Sequence, residues 1–156
     1  MAVAIGSQAP DFTLTNQDRE PVTLSQLKGK PVVLAFFPAA FSSVCTKEMC
    51  TIRDSMALLG KANAQVFGIS VDTFFTLKAF QDQQKLTFPL LSDFNKQVIR
   101  EYGVFNEDMI GLKGIAKRAV FVIDKDGIVR HAEVLEDGRN EPDYGKVLSS
   151  LAALAS

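Results

Sequence analysis

Runs of apolar residues along the chain predict its buried strands. Three largely apolar runs cover residues 32–37, 65–71 and 119–124. Short and nearly continuous apolar runs are typical of strands that are covered on both faces of a sheet. Residues 10–15 and 21–24 instead alternate apolar and polar positions, which predicts an N-terminal β-hairpin.

Between these strands, apolar residues recur at helical spacing. The pattern predicts helices over about 43–59, 74–84 and 144–154. A shorter helix is predicted over about 95–101. Gly60 directly follows the first of these segments, and glycine is a typical residue at the end of a helix.

Three shorter segments complete the predicted fold. Residues 25–30 form one helical turn closed by a glycine, residues 88–92 form a short strand, and residues 128–134 form a hairpin with the strand before them. This order of elements predicts a three-layer α/β sandwich with a mixed central sheet flanked by helices. It is the thioredoxin-like arrangement with an N-terminal β-hairpin extension, and we expect a single domain over residues 1–156.

Composition and charge exclude several classes of function. The chain has 17 Lys and Arg against 18 Asp and Glu, a formal charge of −1, which gives no electrostatic basis for binding nucleic acid or an anionic membrane. No apolar run approaches the roughly 18–20 residues of a membrane span. The N-terminus lacks the basic and apolar regions of a secretory signal, so we expect a cytoplasmic protein.

Both cysteines lie just after the first buried run. Pro38 ends that strand, and Ser42 or Ser43 is placed to cap the following helix. Cys45 then lies in the first helical turn, where unpaired N–H groups and the helix dipole favour a thiolate. Ser42, three residues earlier, is placed to hydrogen-bond the sulfur or an oxygen bound to it. The pattern predicts a reactive thiol at a strand–loop–helix junction.

Metal binding and a disulfide framework fit the sequence less well than thiol chemistry. Two cysteines in a chain without a secretory signal indicate a reactive, redox or metal-linked role. The only histidine is His131, so a four-ligand metal site would need carboxylates, and no cluster with ligand spacing provides them. We therefore expect no metal site.

Pro38, Ser42 and Cys45 form the pattern Pro-x-x-x-Ser-x-x-Cys. In this motif the sequence resembles the peroxiredoxins of the AhpC/TSA superfamily, whose motif is Pro-x-x-x-Thr/Ser-x-x-Cys, and the resemblance extends from about residue 5 to about residue 154. Glu48 matches a family glutamate three residues after the cysteine. Arg118 matches a family arginine at the start of a late strand.

This resemblance implies a thiol-dependent peroxidase that needs no metal or organic cofactor. The Cys45 thiolate would attack a hydroperoxide, giving a sulfenic acid and water or an alcohol. Arg118 and the helix N-terminus would favour the thiolate and hold the peroxide oxygens. Ser42 would contact the peroxide, and Pro38 would shield the sulfur from water. Glu48 is expected to support the site by orienting the arginine or capping the first turn.

Each of these residues also has a purely structural interpretation. Ser42 would then only cap the helix, and Pro38 would only end the strand. Arg118 would be a structural ion-pair residue, with the neighbouring Lys117 able to take its catalytic place. Cys45 would be an inert buried thiol, as many free cysteines are.

Cys50 bears on how the sulfenic acid is removed. Five residues along an α-helix separate two Cα atoms by roughly 8–9 Å, whereas a disulfide needs about 4.4–6.8 Å. Cys45 and Cys50 therefore bridge only if the start of the helix unwinds. Cys50 matches the resolving cysteine of the PrxQ or bacterioferritin-comigratory subgroup. That match implies an intramolecular disulfide, which thioredoxin or a similar dithiol protein would reduce.

Other features resemble the one-Cys, AhpE-like enzymes, notably residues 36–41 and Glu48. In that alternative Cys50 has no catalytic use, and a small thiol or a glutaredoxin- or mycoredoxin-like protein reduces Cys45 directly. The absence of a cysteine near the C-terminus argues against resolution by a partner subunit. Family members often dimerise through the face around the active-site loops, so the resemblance also implies a homodimer.

Two functions of other kinds stay open. A thiol–disulfide oxidoreductase on this fold would use Cys-x-x-Cys, whereas the spacing here is Cys-x-x-x-x-Cys. A redox sensor that signals through oxidation of Cys45 would share the first chemical step. Rapid turnover with peroxide and a reductant would distinguish an enzyme from a sensor.

Overall fold

The computed structural model describes residues 2–154. The strands are β1 (Thr13–Asn16), β2 (Pro21–Thr23), β3 (Val32–Phe36), β4 (Gln65–Ser70), β5 (Leu90–Ser92), β6 (Phe105–Asn106), β7 (Ile115–Ala116), β8 (Arg118–Ile123) and β9 (Val129–Leu135). The helices are α1 (Ser43–Asp54), α2 (Met56–Lys61), α3 (Phe74–Gln84), α4 (Gln97–Glu101) and α5 (Tyr144–Leu154), with a 3-10 helix at Leu24–Leu27.

Seven of these strands form one mixed sheet in the order β2-β1-β5-β4-β3-β8-β9. Strand β3 is parallel to β4 and antiparallel to β8, and β4 is parallel to β5. Strands β1 and β2 pair as the predicted N-terminal hairpin, which joins the sheet through β5. The predicted α/β class with a central mixed sheet is confirmed.

The side chains of the central strand β3 alternate between two cores. Val32, Leu34 and Phe36 lie in a core that also contains apolar side chains of α4. Val33 and Ala35 point the other way, into a core shared with α1, α2, α3 and α5. All five residues are buried, because helices cover both faces of the sheet, and this explains the unbroken apolar run.

The prediction of one continuous helix before Gly60 is wrong. Helix α1 ends at Asp54 and α2 begins at Met56, with Ser55 between them, and α2 continues past Gly60 to Lys61. The Ser55 hydroxyl donates to the Thr51 carbonyl oxygen at 2.9 Å. A serine that bonds the carbonyl four residues earlier competes with the helical pattern and tends to bend it.

The sequence pattern also missed a small second sheet. Strands β6 and β7 pair only through Phe105 with Ala116 and Asn106 with Ile115, and two residues are too few to reveal a period. Within residues 2–154, the helices all fall short of the length and apolarity that crossing a membrane requires.

Candidate active site

The segment from Phe37 to Ser42 places Cys45 at the edge of the buried core. Pro38 follows β3 and is buried, and the chain then turns through Phe41, whose φ is 70°. Ser42 is the N-cap residue of α1. Cys45 is thus in the first turn of α1, and its side chain has no exposed surface.

The pairing of β3 with β8 explains why Arg118 reaches this turn. Phe36 at the end of β3 is opposite Ala119 near the start of β8. Arg118 is therefore beside the point where the chain leaves β3 toward Cys45. Residues that are distant in sequence meet because two antiparallel strands have opposite ends at the same edge.

The Arg118 guanidinium donates hydrogen bonds to three acceptor atoms, one of which is the Cys45 sulfur, and the side chain is 1% exposed. Its Nη2 donates to Cys45 Sγ at 3.3 Å, and its Nη1 donates to Glu48 Oε1 at 2.7 Å. The Gly138 carbonyl oxygen accepts from Nε at 3.2 Å and from Nη2 at 2.9 Å. The planar guanidinium is therefore oriented before any substrate arrives.

Burial and charge act in opposite directions on Glu48 and Arg118. Burial raises the pKa of Glu48 to about 7, although the positive charge of Arg118 opposes that shift. Burial by itself disfavours the charged guanidinium, but Glu48 and the Cys45 sulfur keep the pKa of Arg118 above its usual value. Glu48 Oε2 is buried and has no hydrogen-bond partner among the described residues. The Arg118 guanidinium thus interacts with two buried acidic groups, the Glu48 carboxyl group and the Cys45 thiol.

Ser42 is placed differently from the other candidate residues. Its side chain is exposed, and its hydroxyl donates to the Ala39 carbonyl oxygen at 3.1 Å. The hydroxyl oxygen accepts no capping hydrogen bond from an N–H of α1. Its own carbonyl accepts the N–H of Thr46 at 2.9 Å, which starts the helix. The structure brings together Cys45, Glu48 and Arg118, and it leaves the Ser42 hydroxyl bonded to the loop.

Cys50 lies in the same unbroken helix as Cys45, and both thiols are free. Cys50 is half-buried, and its thiol donates to Gln84 Oε1 at the end of α3, at 3.5 Å. The intact helix therefore keeps the two cysteines apart, as its geometry requires.

Two groups that support the site, Asp72 and Gly138, were not predicted from the sequence. Asp72 holds the loop before α1, since its Oδ2 accepts from the Ala40 N–H at 2.8 Å and from the Ser70 hydroxyl at 2.7 Å. A serine at the end of a buried strand, followed two residues later by an aspartate, is a turn signal that points to such a bond. Gly138 acts through its carbonyl oxygen, and a main-chain acceptor has no sequence signal.

Comparisons with known proteins agree with this arrangement. Residues 5–132 match the AhpC/TSA family. The chain is 45% identical over 128 residues to Peroxiredoxin Q, chloroplastic, of Sedum lineare, covering 82% of this chain and 67% of that protein. It is 40% identical over 154 residues to alkyl hydroperoxide reductase E of Mycobacterium bovis, covering 96% and 98%.

The structural comparison gives the same result. The crystal structure of peroxidoxin BcpB from Mycobacterium tuberculosis is similar with a TM-score of 0.87 and 35% identity, covering 97% of this chain and 98% of that one. The chain spans 58% of a chloroplastic Peroxiredoxin Q of wheat, so that relative is longer. The predicted thioredoxin-like fold and the resemblance are confirmed: this chain belongs to the AhpC/TSA family and is a peroxiredoxin, a family of thiol-dependent peroxidases.

Proposed function

We propose that this protein reduces hydrogen peroxide and organic hydroperoxides with Cys45 as the residue that is oxidised. The proposal rests on one observation: the Arg118 guanidinium donates to Cys45 Sγ at 3.3 Å while Glu48 and Gly138 fix its orientation. A buried and oriented cation beside a thiol favours the thiolate, which is the nucleophile.

The chemical step balances without a cofactor. The Cys45 thiolate attacks the terminal peroxide oxygen, so an S–O bond forms and the O–O bond breaks. The departing oxygen takes a proton and leaves as water or an alcohol. Negative charge moves from sulfur to that oxygen, and Arg118 together with the free N–H groups at the start of α1 stabilises it.

Substrate reaches the sulfur only if neighbouring groups move, because Cys45 has no exposed surface. Pro38 is buried near the start of the loop and keeps water from the site. Ser42 contacts the peroxide in this proposal. Its hydroxyl hydrogen is used by Ala39, and its oxygen retains lone pairs to accept a hydrogen bond from the peroxide.

In the second step Cys50 resolves the sulfenic acid. Its sulfur attacks Cys45 Sγ, an S–S bond forms, the S–O bond breaks, and the oxygen leaves as water. The two thiols share one helix, so α1 must unwind between them. Thioredoxin or a similar dithiol protein then reduces the disulfide.

A one-Cys cycle is the alternative, in which an external thiol attacks oxidised Cys45. It is favoured by the hydrogen bond that keeps Cys50 against Gln84 in an intact helix. The similarity to alkyl hydroperoxide reductase E over 96% of the chain also supports it. In this cycle Cys50 is a residue of the helix surface, and α1 stays folded throughout.

Two broader properties complete the proposal. The protein forms a homodimer through the face around the site, where Phe41 is 46% exposed and Phe75 is 66% exposed. Aromatic side chains are enriched at protein–protein interfaces relative to the rest of a protein surface. Two free thiols suit a reducing compartment, and we propose the cytoplasm.

The test of the first step compares the wild type with Cys45→Ser and Cys50→Ser. Consumption of hydrogen peroxide and of cumene hydroperoxide is followed with excess dithiothreitol as reductant. We expect turnover in the wild type and in Cys50→Ser, because dithiothreitol can resolve Cys45 directly, and none in Cys45→Ser. Unchanged turnover in Cys45→Ser would overturn the proposal.

A further inference from the structure

Gln84 at the end of α3 is hydrogen-bonded to the part of α1 that contains Cys50. The Cys50 thiol donates to Gln84 Oε1 at 3.5 Å. Arg53 Nη1, one turn further along α1, donates to the Gln84 carbonyl oxygen. Gln84 therefore accepts one hydrogen bond through its side chain and one through its main chain, both from α1.

The main-chain bond suits the place of Gln84 in its helix. Gln84 is the last residue of α3, and the next residue, Lys85, has left-handed backbone angles of φ 53° and ψ 45°. The last carbonyl groups of a helix have no partner within it. Arg53 supplies that partner, and its position is also fixed by a bond from its Nε to Asp54 Oδ1 at 3.0 Å.

The same arginine is close enough to the Cys50 sulfur to affect its chemistry. The hydrogen bond to Asp54 is the main cause that raises the pKa of Arg53, and the charge interaction with Cys50 adds to it. A thiolate at Cys50 would therefore be attracted to the Arg53 guanidinium. The Gln84 amide oxygen, in contrast, only accepts a hydrogen bond, so its contact with Cys50 needs the S–H hydrogen that a thiolate lacks.

We propose that Gln84 is a positioning residue that keeps the Cys50 thiol inside α1 until Cys45 has been oxidised. This inference rests on the proposed resolving role of Cys50. For the disulfide to form, the Cys50 S–H must leave Gln84 and α1 must unwind. Breaking the contact with Gln84 is thus part of the barrier to resolution.

The strength of this contact determines what happens to the sulfenic acid. While Cys50 is held, a second peroxide molecule can oxidise the Cys45 sulfenic acid to a sulfinic acid, with water or an alcohol as the other product. Resolution and over-oxidation therefore compete for one intermediate. A weaker contact favours the disulfide, and a stronger one favours the sulfinic acid.

Two substitutions at Gln84 should act in opposite directions. Gln84→Leu removes the acceptor and should speed disulfide formation about three- to tenfold, the factor that one hydrogen bond commonly contributes. Gln84→Glu keeps an acceptor and adds a negative charge, which opposes the Cys50 thiolate, and should slow disulfide formation by a similar factor. Gln83→Leu is the matched control, since Gln83 is the exposed neighbour in the same helix.

The measurement mixes each protein rapidly with one equivalent of hydrogen peroxide, stops the reaction with acid, and follows intact mass. It gives the rate of Cys45 oxidation and the rate of disulfide formation in one experiment. Excess peroxide then gives the fraction of sulfinic acid. We expect the ratio of the two rates to rise in Gln84→Leu, to fall in Gln84→Glu, and to match the wild type in Gln83→Leu.

Each other outcome contradicts the inference in a distinct way. Equal ratios in all four proteins would show that Gln84 does not hold Cys50, while leaving the resolving role of Cys50 intact. A change of equal size in Gln83→Leu would indicate a general effect on α3. Oxidation of Cys45 with no disulfide in any protein would overturn both the resolving role and the role of Gln84. If Gln84→Leu does not fold, the ratio of the two rates in Gln84→Glu still tests the inference, since it must fall below that of the wild type.

Discussion

At the scale of single residues, the site depends on the shape of the Arg118 side chain as well as on its charge. Its guanidinium contacts Cys45, Glu48 and Gly138 at the same time. Lysine is a point charge on a flexible stem and cannot form these contacts together. A lysine at this position would keep the positive charge and lose the orientation.

Arg118→Lys should therefore slow oxidation of Cys45 by hydrogen peroxide about 10²-fold, the loss typical of removing one oriented donor to a developing negative charge. The chain has no tryptophan, so the rate is best measured by quenched flow and mass spectrometry. Lys117→Ala is the control, because Lys117 pairs with Glu136 instead of the sulfur. A rate in Arg118→Lys within twofold of the wild type would contradict this role.

Glu48 makes the stability of the protein depend on pH. Its pKa is about 7 in the folded protein and 4.5 in the reference state, so the folded state holds this proton more tightly. Linkage then requires that its contribution to stability falls as pH rises from about 4.5 to about 7.

Glu48→Gln removes this titration. From pH 5 to pH 8, we expect the wild type to lose up to about 3 kcal/mol of unfolding free energy relative to Glu48→Gln. Urea unfolding of both proteins across that range measures the difference. A difference that is independent of pH would show that Glu48 does not titrate in this window.

At the scale of elements, α1 has two tasks that conflict. Its first turn must stay folded to present free N–H groups near Cys45, and the stretch between Cys45 and Cys50 must unwind for a disulfide to form. The helix is short, since it ends at Asp54, where the Ser55 hydroxyl bonds back to the Thr51 carbonyl oxygen. A short helix with an interrupted end opens more readily than a long one.

Stoichiometric peroxide should therefore change both the mass and the protection of α1. We expect the wild type to lose two hydrogens and its amide protons in residues 43–54 to exchange faster than in the reduced protein. Cys50→Ser should instead hold a sulfenic acid that can be trapped, with α1 still protected. A stable sulfenic acid in both proteins would establish the one-Cys alternative.

At the scale of the whole molecule, the helices and strands could be predicted where many of their side chains are buried in one of the two cores. The apolar run at β3 is covered on both faces, and α5 was predicted with the same limits that the structure shows. The break at Ser55 was not predictable from periodicity, because apolar spacing continues through it. There the hydrogen bond from the Ser55 hydroxyl to the Thr51 carbonyl oxygen accompanies the break in the helix.

The candidate site was likewise predictable only in part. The resemblance to the peroxiredoxins singled out Cys45, Glu48 and Arg118, and the sheet register explains why they meet. The contacts of Gly138 and Gln84 depend on how loops and helix ends pack. Such contacts have no periodic pattern, so only the folded structure reveals them.

The role of Cys45 and Arg118 is tested most directly by the rate of the first oxidation and by the residue that is oxidised. Cys50→Ser protein is mixed with one equivalent of hydrogen peroxide in the presence of dimedone, which traps sulfenic acids, and the modified peptide is identified. We expect one adduct per chain, at Cys45, and a large fall in its rate of formation in the Arg118→Lys, Cys50→Ser double variant. An unmodified Cys45, or an equal rate without Arg118, would contradict these roles.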